Sequence, residues 1–188
     1  MNSATTEHRT TDGKTPTSVM LLRNPLDFIA EDHLRLRTMC GELDRLVEAT
    51  GIEDGAITVM IENLNKELPL LLADEDHDLI PKVLSRAEPE DELPKLIERL
   101  EQEHAVISAH LKTATTGLAA LVPATDMSDQ LREAMRNLAS ATRRHLTLEN
   151  AVLLPLARAR LTKEDLHELR SATLRRRGLA DLFSPQSP

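Results

Sequence analysis

The chain has 188 residues, of which 40% are hydrophobic, and carries a formal net charge of -8 at pH 7. A chain of this length predicts a single domain, because one core can bury roughly 70% of its unfolded surface. The acidic balance argues against nucleic-acid and membrane partners, and the presence of two Phe with no Trp or Tyr excludes base-stacking platforms.

The compartment is also constrained by composition. No apolar run is long enough to span a bilayer, and the N-terminus lacks the features of a signal peptide. A single cysteine, Cys40, excludes an intramolecular disulfide framework and agrees with a reducing environment. We therefore expect a cytoplasmic protein.

The two ends of the chain are predicted to be tails. Residues 1–22 contain few large apolar side chains, which predicts a disordered N-terminal tail. At Asn24-Pro25 a helix begins, with Asn24 as its cap and Pro25 in the first helical position. The domain is expected over residues 23–178, followed by a C-terminal tail at residues 179–188.

Four stripes of mainly apolar residues recur at three- and four-residue steps, over residues 26–46, 57–83, 97–121 and 131–156. Pro69 and Pro81 predict local kinks in the second helix. The fourth stripe includes Val152, and either Ser128 or Asp126 can cap its helix. Thr162, followed three residues later by Asp165, resembles a capping box for a basic helix ending near residue 177. The sequence predicts an all-α fold: an up-down-up-down antiparallel four-helix bundle with a short C-terminal fifth helix.

A weak internal repeat relates the two halves of the predicted bundle. Glu75 in the second helix and Glu149 in the fourth are each followed, six residues later, by a proline. The first and third helices each carry an acidic residue followed by a histidine, which is His33 or His104. Each helical hairpin therefore contributes one histidine helix and one glutamate helix.

These residues are predicted to meet at one level of the core. Counting at about 1.5 Å of rise per residue places His33, His104, Glu75 and Glu149 at similar depths, and His145 lies one turn before Glu149. Three imidazoles and two carboxylates in an apolar core would be costly without a cation, and this donor set suits iron, manganese or zinc. We therefore predict a metal site at His33, Glu75, His104, His145 and Glu149.

Other polar residues have simpler interpretations. We expect His77, with Asp74, Asp76 and Asp78, to form a solvated face. Cys40 is expected to pack in the core. The basic run at residues 175–177 predicts a solvated surface or a contact in a homodimer.

The motifs resemble those of the hemerythrin-like (HHE cation-binding) domains over residues 24–162. The most specific segment runs from His145 through Glu149 to the Leu-Leu-Pro sequence that follows it. The resemblance implies a non-haem iron pair held between four helices and bridged by carboxylates. Two positions where the family usually carries ligands are here Leu71 and Ser108, so the resemblance implies a ligand-depleted centre with one or two ions.

The function we expect is iron binding, with the protein handling iron or binding or sensing O2, NO or peroxide without turnover. A scaffold or regulatory bundle whose metal site has decayed is the alternative. A third hypothesis is an oxidase or peroxidase-like enzyme, although no substrate-positioning group is evident beyond the ligands. We therefore assign metal-ligand roles and no catalytic residues.

Overall fold

A computed structural model describes residues 15–49, 54–121, 126–180 and 182–183, and every regular element in these ranges is helical. The predicted all-α class is therefore confirmed. We number the α-helices in chain order: α1 (Pro25–Glu48), α2 (Asp54–Asp74), α3 (Ile80–Ser85), α4 (Leu93–Ala119), α5 (Asp129–Leu148), α6 (Leu154–Arg160) and α7 (Lys163–Arg176). In the same ranges, no helix is both long and apolar enough to cross a membrane.

The four long helices surround a shared core. Helix α1 packs against α2 and α5, and helix α4 packs against the same two neighbours. The predicted stripes supply this core, with Leu46, Leu111, Leu121 and Leu156 only half-buried. The C-terminal helix α7 lies outside this arrangement, against α1 and α2.

Two π-helical turns interrupt the bundle at equivalent places. Glu75–Leu79 joins α2 to α3, and Glu149–Leu153 joins α5 to α6. In each turn the backbone N–H after the last residue donates to the carbonyl of the glutamate five residues earlier. The next residue is a proline, which has no N–H to donate, so the six-residue carboxylate-to-proline spacing in the sequence corresponds to one π turn. Pro69, by contrast, lies inside continuous α2.

The second π turn changes which side chains face the core. Val152 was predicted to be buried, but it is 41% exposed, while Leu153 is fully buried. A π-helical turn contains more residues than an α-helical turn, so the apolar stripe moves by one position. The prediction for Val152 was wrong because it assumed a constant α-helical period.

The predicted helix caps are partly confirmed. Ser128 accepts a hydrogen bond from the backbone N–H of Leu131 at 3.2 Å, as a cap of α5 should. At α1, Pro25 takes the first helical position, but the Asn24 side chain makes no cap hydrogen bond and instead donates to Asp27 Oδ2 at 2.6 Å. The amide nitrogen of Asn24 therefore donates to a carboxylate, while its oxygen accepts no backbone N–H of α1.

The chain preceding α1 is more ordered than the predicted tail. A 3-10 helix spans Val19–Arg23, in which Leu22 is fully buried, and Thr17 Oγ1 donates to Asp32 Oδ1 at 2.7 Å. At the other end, Leu179 packs against the core although it falls in the predicted C-terminal tail. Residues 1–14 and 184–188 lie outside the described residues, and the proposed domain boundaries stay a prediction.

Arginines at the end of helix α7 contact Asp74 and Asp78, two acidic residues that we expected to be solvated. That expectation was wrong for Asp74, which is fully buried and contacts both Arg176 and Arg177, the latter at 2.6 Å. Arg176 also reaches Asp78 at 2.5 Å. Burial raises the pKa of the Asp74 carboxyl, and the two arginines oppose that shift. The basic run was predicted to be a solvated surface or a homodimer contact. Two of its arginines, Arg176 and Arg177, instead make contacts within the chain.

We expect Asp165→Asn to destabilise the protein. Arg86 donates two hydrogen bonds to this carboxylate, at 2.9 and 3.1 Å, and Thr162 completes a capping box with it. Together these contacts lower the pKa of Asp165 to about 2. Urea unfolding at pH 7 should show a loss of about 1 kcal/mol. The difference should shrink as pH falls from about 4, the unfolded-state pKa, towards the folded value, because the carboxylate then becomes protonated.

The control for this variant is Glu164→Gln, which removes the same charge from the exposed neighbouring residue. It should leave the free energy of unfolding within about 0.5 kcal/mol of the wild type. Equal losses in the two variants would show that the cap and the Arg86 contact contribute nothing specific.

We also expect Arg176→Ala to lower the free energy of unfolding by about 1–3 kcal/mol, because the buried Asp74 carboxylate then keeps only Arg177. Arg175→Ala is the matched control, since Arg175 is the exposed neighbour in the same basic run. Chemical denaturation of both variants measures the difference. A solvated or dimer-contacting role for the whole run would instead make the two variants equivalent in the monomer.

Candidate metal centre

The structure brings the five predicted site residues together in the core. His33 comes from α1, His104 from α4 and His145 from α5, while Glu75 and Glu149 are the first residues of the two π turns. None of the five is more than 5% exposed. Their convergence depends on four helices that are distant in sequence.

Glu75 lies between the histidines and faces them with both carboxylate oxygens. Its Oε1 is 3.1 Å from His33 Nε2, whereas its Oε2 is 3.5 Å from His104 Nε2 and 3.6 Å from His145 Nε2. One carboxylate therefore contacts imidazoles on two sides, which is the arrangement required of a bridging ligand.

Glu149 makes a similar pair of contacts. Its Oε2 lies 3.1 Å from His145 Nε2 and 3.4 Å from His33 Nε2. The Nε2 atoms of His104 and His145 are 3.1 Å apart. Glu75, His104, His145 and Glu149 each offer a ligand atom, and these four atoms all lie within 4.8 Å of one another.

The electrostatics of the cluster favour a cation. Burial raises the pKa of Glu149, and the charge of Glu75 raises it further. For Glu75 itself, the neighbouring imidazoles outweigh burial and hold the pKa well below its usual range. Contacts with carboxylates likewise outweigh burial at His104 and His145, raising their pKa values to about 9 and about 10. These shifts share one cause, which is that the buried negative charge of the two carboxylates favours positive charge beside it.

Several buried carboxylate oxygens of the cluster make no hydrogen bond. Within the described part of the chain, both oxygens of Glu149 and Oε2 of Glu75 lack a hydrogen bond of normal geometry. Unpaired buried carboxylate oxygens cost free energy. Mixed imidazole and carboxylate donors are suited to iron, manganese and zinc, so the residues present fit the cation that the sequence predicted.

The two departures from the family pattern have different structural consequences. Leu71 is fully buried one turn before Glu75, so an apolar side chain occupies a core position there. Ser108 is exposed and does not face the core. His33 is therefore the one imidazole that contacts Oε1 of Glu75 among the described residues.

Sequence reasoning did not single out the residues that contact the outer ring nitrogens. Asp76 is 39% exposed, as predicted for a solvated face, and its Oδ1 also lies 2.5 Å from His104 Nδ1. Glu103 and Asn150 approach the Nδ1 atoms of His145 and His33. Their positions in the sequence could have indicated them, because each of the three is next to a predicted ligand.

Two further predictions near the centre agree with the structure. His77 is exposed, and Cys40 is fully buried. Burial raises the pKa of the Cys40 thiol to about 12, which keeps it protonated and suits it to packing rather than to ligation.

Comparison with known proteins agrees with the geometry. The family model for the hemerythrin HHE cation-binding domain matches residues 24–157, which include all five clustered residues. A search of curated proteins found no significant match. Because the family match covers most of the chain, the chain belongs to the hemerythrin HHE cation-binding domain family.

Proposed function

We propose that this protein binds iron through His33, Glu75, His104, His145 and Glu149, and that it handles iron or binds O2, NO or peroxide there without turnover. One observation carries the proposal. Four ligand atoms of imidazole and carboxylate type lie within 4.8 Å of one another in the core. Membership of a cation-binding family supports the same assignment.

The bundle topology that supports this site is inferred to be up-down-up-down. Only a few residues connect α1 to α2, and the connections around α4 are similarly short. Short connections place consecutive long helices side by side and antiparallel. With alternating directions, the histidine helices and the glutamate helices present their ligands at one level.

We infer that the two sides of the site differ in strength. His104 and His145, with oxygens of Glu75 and Glu149, form the richer side, while His33 is the single imidazole opposite Glu75 Oε1. Iron bound here supplies open coordination positions for a small ligand. The chain itself contributes the bridging carboxylates and a core that excludes water, with Leu71 in place of a further imidazole.

The direct test of this proposal is iron loading. After anaerobic loading with Fe(II) and gel filtration, elemental analysis should find about one iron per chain, because one side of the site has more ligands than the other. Admission of air should produce near-ultraviolet absorption, which is easily measured because the chain has no Trp or Tyr. His145→Ala should lose the iron, because it removes a buried imidazole from the richer side.

His77→Ala is the matched control, because His77 is an exposed imidazole in the first π turn. It should leave iron retention unchanged. If the wild type retained no iron, manganese or zinc, the alternative of a scaffold with a decayed site would replace the proposal. Equal losses in the two variants would mean that the ligand assignment is wrong.

A second prediction concerns the weaker side. Leu71→His places an imidazole one turn before Glu75 on the same helix face, so iron content should rise towards about two per chain. Leu72→His is the control, since Leu72 is also buried but points in a different direction around α2. Elemental analysis measures the iron content of both variants. If folded Leu71→His held no more iron than the wild type, the depleted-site interpretation would be contradicted.

A further inference from the structure

The outer nitrogens of the three clustered histidines all contact side chains from other helices. Asp76 Oδ1 lies 2.5 Å from His104 Nδ1, and Asn150 Oδ1 lies 3.2 Å from His33 Nδ1. Glu103 Oε2 is 3.5 Å from His145 Nδ1, a charge contact and not a hydrogen bond, since neither atom has a hydrogen-bond partner among the described residues. Each imidazole therefore has an oxygen on its outer side and a carboxylate of the cluster on its inner side.

These outer contacts follow a rule of sequence position. Asp76 follows Glu75, and Asn150 follows Glu149, so each comes from the second position of a π turn. Glu103 immediately precedes His104 on α4. Each of these three residues is thus a sequence neighbour of one predicted ligand. Its side chain contacts a histidine that belongs to another helix. The chain of contacts runs from the first π turn to α4, from α4 to α5, and from the second π turn to α1.

All three rings are oriented in the same way. The Nε2 atoms of His33, His104 and His145 face the glutamates, while the Nδ1 atoms face outward. A metal-binding imidazole must keep the inward nitrogen free of a proton, so its outward nitrogen must carry one. An oxygen acceptor opposite Nδ1 favours that tautomer and holds the plane of the ring.

We propose that Asp76, Glu103 and Asn150 are positioning residues of the metal centre, which hold the three imidazoles with Nε2 directed at the bound cation. This inference rests on the proposed function. It assigns a role to three polar residues that flank the predicted ligands and are not ligands themselves.

The geometry ranks the three residues. Asp76 is charged and makes the shortest contact, so its removal should have the greatest effect. Asn150 is a neutral amide at a longer distance. Glu103 is the most distant, and its other oxygen accepts a hydrogen bond from Arg99 at 3.1 Å, so we expect the smallest effect from Glu103.

The experiment measures how fast Zn2+ leaves the loaded full-length protein when excess chelator is added. This rate starts from the metal-bound state and so does not depend on the protonation of the metal-free site. Asp76→Ala should release Zn2+ roughly 10–100 times faster than the wild type, the range typical for loss of such an outer contact. Asn150→Ala and Glu103→Ala should follow in that order.

Two further variants separate positioning from general damage to the fold. Asp76→Asn retains a side-chain oxygen that can accept from Nδ1, so it should restore most of the slow release. Glu101→Ala removes an exposed acid from α4, two residues before Glu103, and should release Zn2+ at the wild-type rate. The visible spectrum of the Co2+-loaded protein should change in Asp76→Ala and remain unchanged in Glu101→Ala.

The outcomes distinguish this inference from the proposed function. A wild-type protein that binds neither Zn2+ nor Co2+ would overturn the proposed function itself. If the wild type binds both ions but Asp76→Ala releases Zn2+ no faster than Glu101→Ala, the proposed function stands and the positioning role is overturned. The same conclusion would follow if Asp76→Asn released the metal as fast as Asp76→Ala.

Discussion

The burial of two carboxylates opposite each other, Glu75 and Glu149, constrains the rest of the structure. Two negative charges in an apolar core repel each other and lose their hydration, so positive charge must be supplied locally. The neighbouring carboxylates raise the pKa values of His104 and His145 to about 9 and about 10, the response of imidazoles to negative charge in a buried site. The same atoms form the ligand set proposed for a cation. A bound cation would therefore neutralise the buried carboxylates and also perform the proposed function.

The backbone provides the geometry through two related π turns. Each begins at the buried glutamate and ends two residues before a proline, so the position of the proline and the placement of the carboxylate are linked. The second residue of each turn then contacts a histidine from another helix, as Asp76 and Asn150 do. Outside the core, Arg176 holds the carboxylates of Asp74 and Asp78 on either side of Glu75. One short segment therefore joins the site, a neighbouring helix and the C-terminal helix.

The asymmetry of the centre bears on its chemistry. His104 and His145 both contact Glu75 Oε2, whereas His33 is the single imidazole at Glu75 Oε1 among the described residues. Leu71 fills the core position one turn before Glu75, and Glu149 Oε2 contacts His145 and His33 alike. A mononuclear centre, or a pair completed by water, is consistent with that distribution. Reversible oxygen carriage by a fully ligated iron pair is not what this arrangement favours. Handling of iron or binding of a small ligand at open positions agrees better with the residues present.

The sequence alone determined the all-helical class, the cap at Thr162 and the apolar stripes, because these depend on residues within a few positions of one another. Its repeat also predicted the five clustered residues, although their role as ligands stays a prediction. Tertiary structure decided the burial of Asp74, the exposure of Val152 and the outer partners of the three imidazoles. Those features depend on π turns and on side chains from helices far apart in the chain, which no local pattern of spacing or hydrophobicity encodes.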